Sequence, residues 1–479
     1  MKEMNRSTWL AGAVGLGVLA AAGLAAANLA ARAEARTTLA RPKGTVTFAK
    51  DVAPIIYNNC TSCHRAGEVA PFSLSSYQDV KKRASQIASV VQTHYMPPWH
   101  AESHGEFLNE RKLTDDQIAV LQQWASEGAK LGGTPPEPPK FATGWSLGEP
   151  DVVLEPSKSY TLKAEGTDVY RCFVLPNTNT EDKWVSAMEV RPGNAKVVHH
   201  VIAYLNADGK ARAKEAANTD GQPGYTSFGG IGANPSGTLG GWAPGNFPRR
   251  LPDGVGTLYP KGSDIVLQVH YHPSGKPETD QTKVGIYYCK KPVDKQLRIF
   301  PVLAGLNIPP GDANYTVNSF QFPVPWDATV LEVMPHMHLL GKEMAISVTS
   351  PEGEKKTLVN VPHYDFSWQT TYAYKTPVKI TKGSKISLTA RYDNSTSNPR
   401  NPSAPPKHVG WGEQTTDEMC IGFVYYTLDD EHITEGKRMS PSGFGSGGTR
   451  RAAAAQFIKG LLQSRQQTSG AATGGTPPK

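Results

Sequence analysis

Between residues 145 and 429 apolar and polar positions alternate over short runs, and Gly, Pro, Asn and Asp interrupt them before any helical period is established. Alternation is what a strand with one covered face requires, so the pattern predicts many short strands in a β-sandwich architecture. The stretch is long enough for two mainly antiparallel, jelly-roll-like sandwiches, placed at 149–295 and 296–436. Upstream the period changes. Residues 75–92 bring Ile87, Val90 and Val91 to one side of a predicted helix. Residues 114–128 form another, capped by Thr114, with acids in its first turn and a stop at Gly128. Together they predict a small α-helical domain at 42–135. The Pro-rich stretch at 132–140 reads as a semi-rigid spacer, which places a linker at 136–148.

The two ends follow neither pattern. Lys2 and Arg6 precede an apolar run at 9–31 that closes on Ala31-Arg32-Ala33, the layout of a cleavable export signal over 1–33. An uncleaved membrane anchor is the alternative for this run. Export places the mature chain in the periplasm or outside the cell. Residues 437–479 have linker composition with room for one short helix, and read as a flexible tail without chemistry.

Composition changes the picture in two places. The formal charge is +7, and loss of residues 1–33 lowers it to +5 with no basic run, so nothing points to nucleic acid as a partner. The chain has five cysteines. Two stand in Cys60-Thr61-Ser62-Cys63-His64, which leaves Cys172, Cys289 and Cys420; one disulfide and one free thiol is the simplest arithmetic for an exported protein.

The Cys60-x-x-Cys63-His64 pattern is that of covalent haem c attachment, with two thioethers and His64 as the proximal iron ligand. A zinc site would lack its second half here, and a redox dithiol needs no adjacent His. For the sixth iron ligand Met96, followed by Pro97-Pro98, competes with His94, His100 and His104. The segment from Phe48 through Trp99 resembles a bacterial c-type cytochrome module fused to other redox domains.

Four further motifs carry metal-type side chains. In Met334-Pro335-His336-Met337-His338, two imidazoles on one predicted strand project from the same face and make half of a site. His199 and His200 stand adjacent within an apolar strand, and should face opposite ways unless a bulge or strand end intervenes. His270 and His272 lie two apart on another strand, and Asp417-Glu418-Met419-Cys420 opens one more. Singly, each is as easily a core or surface feature as a ligand.

In this order the four resemble the copper type II monooxygenases, the family of peptidylglycine α-hydroxylating monooxygenase and dopamine β-hydroxylase, over residues 150 to 430. The resemblance implies an electron-transfer copper on His199, His200 and His270. It implies an oxygen-binding copper on His336, His338 and Met419, and a solvent-filled cleft between two sandwiches. It aligns a disulfide with Cys172 and Cys289 and leaves Cys420 a buried free thiol. A thioether favours Cu(I), the state that meets O₂. Substrate residues depart from the family: the peptide-amidating members' Arg, Asn and Tyr are replaced by Met334, Ile421 and Phe423. Loss of a bidentate Arg argues against a glycine-extended peptide and for an apolar C–H substrate. The expectation is a dicopper monooxygenase that takes single electrons from an external donor through its own haem. A non-catalytic redox or copper-carrying protein and an O₂- or peroxide-reducing oxidase are the alternatives.

Overall fold

The computed structural model describes residues 41–68, 70–141 and 144–439. The expected export signal at 1–33 and all but the first residues of the tail lie outside the described residues. The chain divides into two compact units, one comprising residues up to 99 together with 111–141, the other 100–110 and the remainder.

In the first unit a single π-helical turn, Phe48–Val52, runs into the helix Ala53–Asn59, followed by Tyr77–Lys82, Ala84–Gln92 and Asp115–Ser126. The helix expected over 75–92 is therefore two. Arg83 leaves helical space at φ −116° and ψ 14°, and its guanidinium lies 4.1 Å over the Phe72 ring. Val80 and Ile87, on either side of the break, both reach the core. The Thr114 start is a full capping box: the Thr114 hydroxyl accepts from Gln117 N at 3.2 Å and Gln117 Oε1 accepts from Thr114 N at 2.9 Å. Phe48, Ile56, Leu121 and Trp124 are the buried centre.

The second unit contains the two expected sandwiches. In the N-terminal one, Val152–Leu154, Lys283–Tyr288, Lys183–Arg191, Val255–Tyr259 and Lys295–Gln296 form one sheet in that order. Tyr225–Thr226, Val169–Leu175, Asp264–Tyr271, Val198–Asn206 and Gly237–Trp242 form the other. All labelled pairs are antiparallel except Lys295–Gln296 with Val255–Gly256. Val190 and Ile286 of the first sheet share one core with Leu175, Val201 and Leu267 of the second. The strand Asp264–Tyr271 is buried at every position, because its outer face is also covered: Val266 packs with Ala211 of the helix Lys210–Ala216 and with Tyr225 and Ile231.

In the C-terminal sandwich Arg298–Leu303, Ile421–Leu428, Ala328–His336 and Tyr372–Ile380 face Tyr315–Asn318, Lys385–Tyr392, Gly341–Thr349 and Lys355–Val361. The sheets approach so closely at Gly422 that an added Cβ would lie 2.7 Å from Ile346 Cδ1. Residues 100–110 belong here: Phe107 bridges Tyr374, Leu108 N donates to Ala373 O and Lys375 N to Glu106 O, which extends the sheet past the Tyr372–Ile380 strand. His100 and His104, two of the alternatives for an iron ligand, are thus part of the β-rich unit. Among the described residues no helix is long and apolar enough to cross a membrane.

The expected Cys172–Cys289 disulfide is not formed; both thiols are free. Cys172 sits in the outer cluster with Ala211, Tyr225 and Ile231. The Cys289 thiol lies 3.6 Å from Val255 O beside the opposite sheet. A disulfide needs its Cα atoms within about 7 Å, and these two side chains belong to different sheets of the sandwich. Cys420 is a fully buried free thiol, as expected.

Candidate metal centres

His199 and His200 lie near the start of Val198–Asn206, and His270 on the neighbouring strand Asp264–Tyr271. Pairing between these strands slips between Val198 and His200. That bulge is what two adjacent histidines need in order to turn toward one point. The three Nδ1 atoms converge, His199 to His200 at 3.3 Å and His270 to His200 at 3.3 Å. All three ligand atoms lie within 4.8 Å of one another. Nitrogens each about 2.0 Å from one ion at tetrahedral angles are roughly 3.3 Å apart, which both measured pairs match. His272 does not join it; its exposed ring lies 2.7 Å from Asp168 Oδ1.

The second centre is built on Ala328–His336. His336 ends the strand and His338 follows in the turn, yet their rings stay 5.3 Å apart at 85°. The same-face expectation holds although only one of the two is on regular strand. In both rings Nδ1 is occupied, by Gln369 Oε1 at 2.8 Å for His336 and by the Asp417 carbonyl at 3.1 Å for His338. Each ring therefore has Nε2 available to an ion, the arrangement by which protein neighbours fix a ligand's tautomer.

Met419 is tied to this pair through Glu418. The buried Glu418 carboxylate accepts from His338 N at 2.8 Å and Leu340 N at 2.6 Å, and also from Met419 N. Tyr392 fixes the Met419 carbonyl at 2.7 Å. Burial raises the Glu418 pKa to about 8 against the opposing pull of these N–H donors. One carboxylate thus clamps the backbones of two expected ligands.

Burial holds four of the imidazoles neutral. Burial lowers His199 to about 3, His336 to about 4 and His338 to about 3, with neighbouring imidazoles adding to the effect at His199 and His338. Burial puts His200 well below its ordinary value as well. Neutral imidazole is the form a metal requires.

The space between the centres departs from the expected solvent-filled cleft. Phe366, itself buried, stacks on His199 at 4.7 Å and meets His338 edge-on at 5.4 Å. The loop that carries Phe366 docks on the N-terminal sandwich, with Asn246 Nδ2 donating to Gln369 O at 2.8 Å and Thr371 N to Asn246 Oδ1 at 3.0 Å. Gly245, at φ +86°, makes room for Trp368, whose Cε3 would lie 2.8 Å from a Cβ there. Docking of this loop carries an aromatic ring into the gap. On the far side of His336, Met334 pairs with Phe423 and His336 with Ile421 in strand register, so the three departures from the family's substrate residues lie together.

In the helical unit Cys60 follows Ala53–Asn59, and Cys63 N and His64 N both donate to Cys60 O, winding the motif into one tight turn. His64 Nδ1 lies 3.2 Å from Phe72 O, so a bound ligand would meet Nε2. Met96 is half-buried at the end of the region after Ala84–Gln92, and His94 is exposed beside it at φ +55°.

Gln369, Glu418, Asp168 and Phe366 escaped the sequence reading. Glu418 alone had a signal, since it sits inside the Asp-Glu-Met-Cys motif.

The C-terminal part of the chain is similar to a known family. Residues 315–440 match the model of the copper type II ascorbate-dependent monooxygenase C-terminal domain. Among curated proteins, the tyramine beta-hydroxylase of Caenorhabditis briggsae is 23% identical over 322 residues, covering 61% of this chain and 51% of that protein. The chain thus spans about half the length of this relative. Among solved structures, the major capsid protein P2 of bacteriophage PM2 aligns over 61% of this chain and 99% of its own at TM-score 0.24 and 7% identity. A recombinant N-glycanase F aligns over 58% and 95% at TM-score 0.24 and 11% identity. Both scores fall below the level at which two chains share a fold.

Proposed function

We propose that this protein is an exported dicopper monooxygenase that hydroxylates an apolar C–H bond with O₂ and receives electrons through its own haem c. The observation that carries the reading is the paired donor geometry: three Nδ1 atoms converging in one sandwich, and two Nε2 atoms left available in the other. The match of residues 315–440 to the copper monooxygenase domain supports it.

His199, His200 and His270 would hold one copper, and His336, His338 and Met419 the other. Copper there would supply single-electron chemistry toward O₂, and haem on Cys60, Cys63 and His64, with Met96 opposite, would supply electrons one at a time. One haem holds one electron, so each turnover needs two deliveries from an external donor. The chain's own residues do the rest. Gln369 and the Asp417 carbonyl hold the protons of His336 and His338 on Nδ1. Glu418 keeps Met419 next to His338. Met334, Ile421 and Phe423 offer an apolar wall that repels a charged substrate end. Phe366 excludes water from the space beside His199 and His338.

Phe366 also favours a second reading, a non-catalytic copper and haem electron carrier, because its ring stands where a substrate would approach. Reduced protein supplied with ¹⁸O₂ and a panel of aromatic and aliphatic compounds separates the two. Labelled hydroxyl in any product supports the monooxygenase. Four-electron or two-electron reduction of O₂ with every compound, in both the wild type and Phe366→Ala, supports the carrier or an oxidase.

A further inference from the structure

Asp168 immediately precedes the strand Val169–Leu175 in the N-terminal sandwich, and its side chain is 7% exposed. Its Oδ2 lies 3.0 Å from His270 Nε2, the ring nitrogen turned away from His200. Its Oδ1 lies 2.7 Å from His272 Nδ1. The remaining contact crosses to the other sandwich: the Thr415 hydroxyl donates to Asp168 Oδ2. Thr415 belongs to the segment that leads into Met419.

The rest of that segment is fastened at both ends. Tyr170, whose ring stacks on His270 at 4.3 Å and 9°, donates its hydroxyl to Glu413 O at 2.6 Å. The Glu413 carboxylate accepts from Gly229 N at 2.6 Å. At the far end the Asp417 carbonyl holds His338 Nδ1 and Glu418 clamps His338, Leu340 and Met419. Residues 413–418 are therefore a strap between a ligand of one trio and two ligands of the other.

We propose that Asp168 and Thr415 are positioning residues that couple the two metal sites, so that capture of an ion by either trio raises the affinity of the other. Fixing His270 on an ion fixes the carboxylate behind it. The carboxylate in turn orders Thr415, and with it the backbone that presents Met419 and the Asp417 carbonyl. By reciprocity the same contact transmits order in the opposite direction. The proposal rests on the copper reading only for the identity of the ions.

The test is a cycle of Cu(I) affinities on the full haem-containing chain, by competition with a chromophoric chelator. His200→Ala leaves only the second site and His338→Ala only the first; the product of their two constants is compared with the product for loading both sites of the wild type. The coupling factor from that ratio is expected to exceed the factor in a Thr415→Val background by on the order of tenfold, the effect of one hydrogen bond to a charged group. Thr415→Ser restores the hydroxyl and should restore the factor. Thr415→Ala serves in place of Thr415→Val should the latter not fold. Equal factors with and without the Thr415 hydroxyl overturn the coupling while leaving the copper sites standing. Failure of both single-site variants to bind copper overturns the coupling and the proposed function together.

Discussion

An imidazole meets a metal through one nitrogen, and which one is decided by what holds the other. In His336 the neighbour is Gln369 Oε1 and in His338 the Asp417 carbonyl, both at Nδ1. Loss of such a partner typically costs about 10- to 100-fold in metal affinity. Gln369→Leu should therefore weaken copper at the second site by about that factor, read by chelator competition, while Gln369→Glu, which keeps an acceptor, should weaken it less. Burial has a second consequence at this scale. The folded-state values of His199, His336 and His338, at about 3 to 4, lie below the unfolded value near 6.5. Across that window the unfolded chain binds protons that the folded one does not. The copper-free protein should lose stability as pH falls from about 6.5, by up to about 1.4 kcal/mol per pH unit for each such histidine. Urea unfolding of wild type and His336→Asn at pH 7 and pH 5 checks this: the variant's stability should fall less between the two.

At the scale of elements, two backbone arrangements position the ligands. The bulge at the start of Val198–Asn206 turns adjacent histidines to one point, and the Glu418 carboxylate draws the turn after Ala328–His336 onto the residue before Ile421–Leu428. Glu418→Ala would strand three buried N–H groups. At about 1–3 kcal/mol for each buried donor left unpaired, it should lower stability by several kcal/mol in chemical denaturation. Gly422→Ala should cost about 1–3 kcal/mol by pushing against Ile346 across the sandwich, with copper content unchanged. These arrangements mark where the sequence stopped being legible. The need for a bulge at His199 and His200 could be read from the alternation rule, and the capping box at Thr114 from residue types alone. The break at Arg83 could not, because Val80 and Ile87 would share one face of an unbroken helix as well, and the Phe72 ring under the guanidinium comes from the loop before the first of the two helices. Gln369 had no local signal either. It lies on an irregular loop, 33 residues from the ring it holds.

At the scale of the β-rich unit, the predominance of short, mainly antiparallel strands was visible in the alternating pattern. What the pattern could not show was the packing of one sandwich on the other. Phe366 fills the gap because Asn246 and Gly245 seat its loop, and those contacts join residues more than a hundred positions apart. The missing disulfide has the same origin: Cys172 and Cys289 each flank the first trio in sequence, but they stand on different sheets of the sandwich.

The central claim is that six side chains make two copper sites of unlike donors. Copper and iron content with copper K-edge absorption of the reduced protein tests it most directly, in the wild type and in Met419→Ile. Two copper and one iron per chain are expected, with a sulfur scatterer that disappears in Met419→Ile while the imidazole shells remain. One copper per chain, zinc in its place, or a sulfur signal that survives the substitution would contradict it.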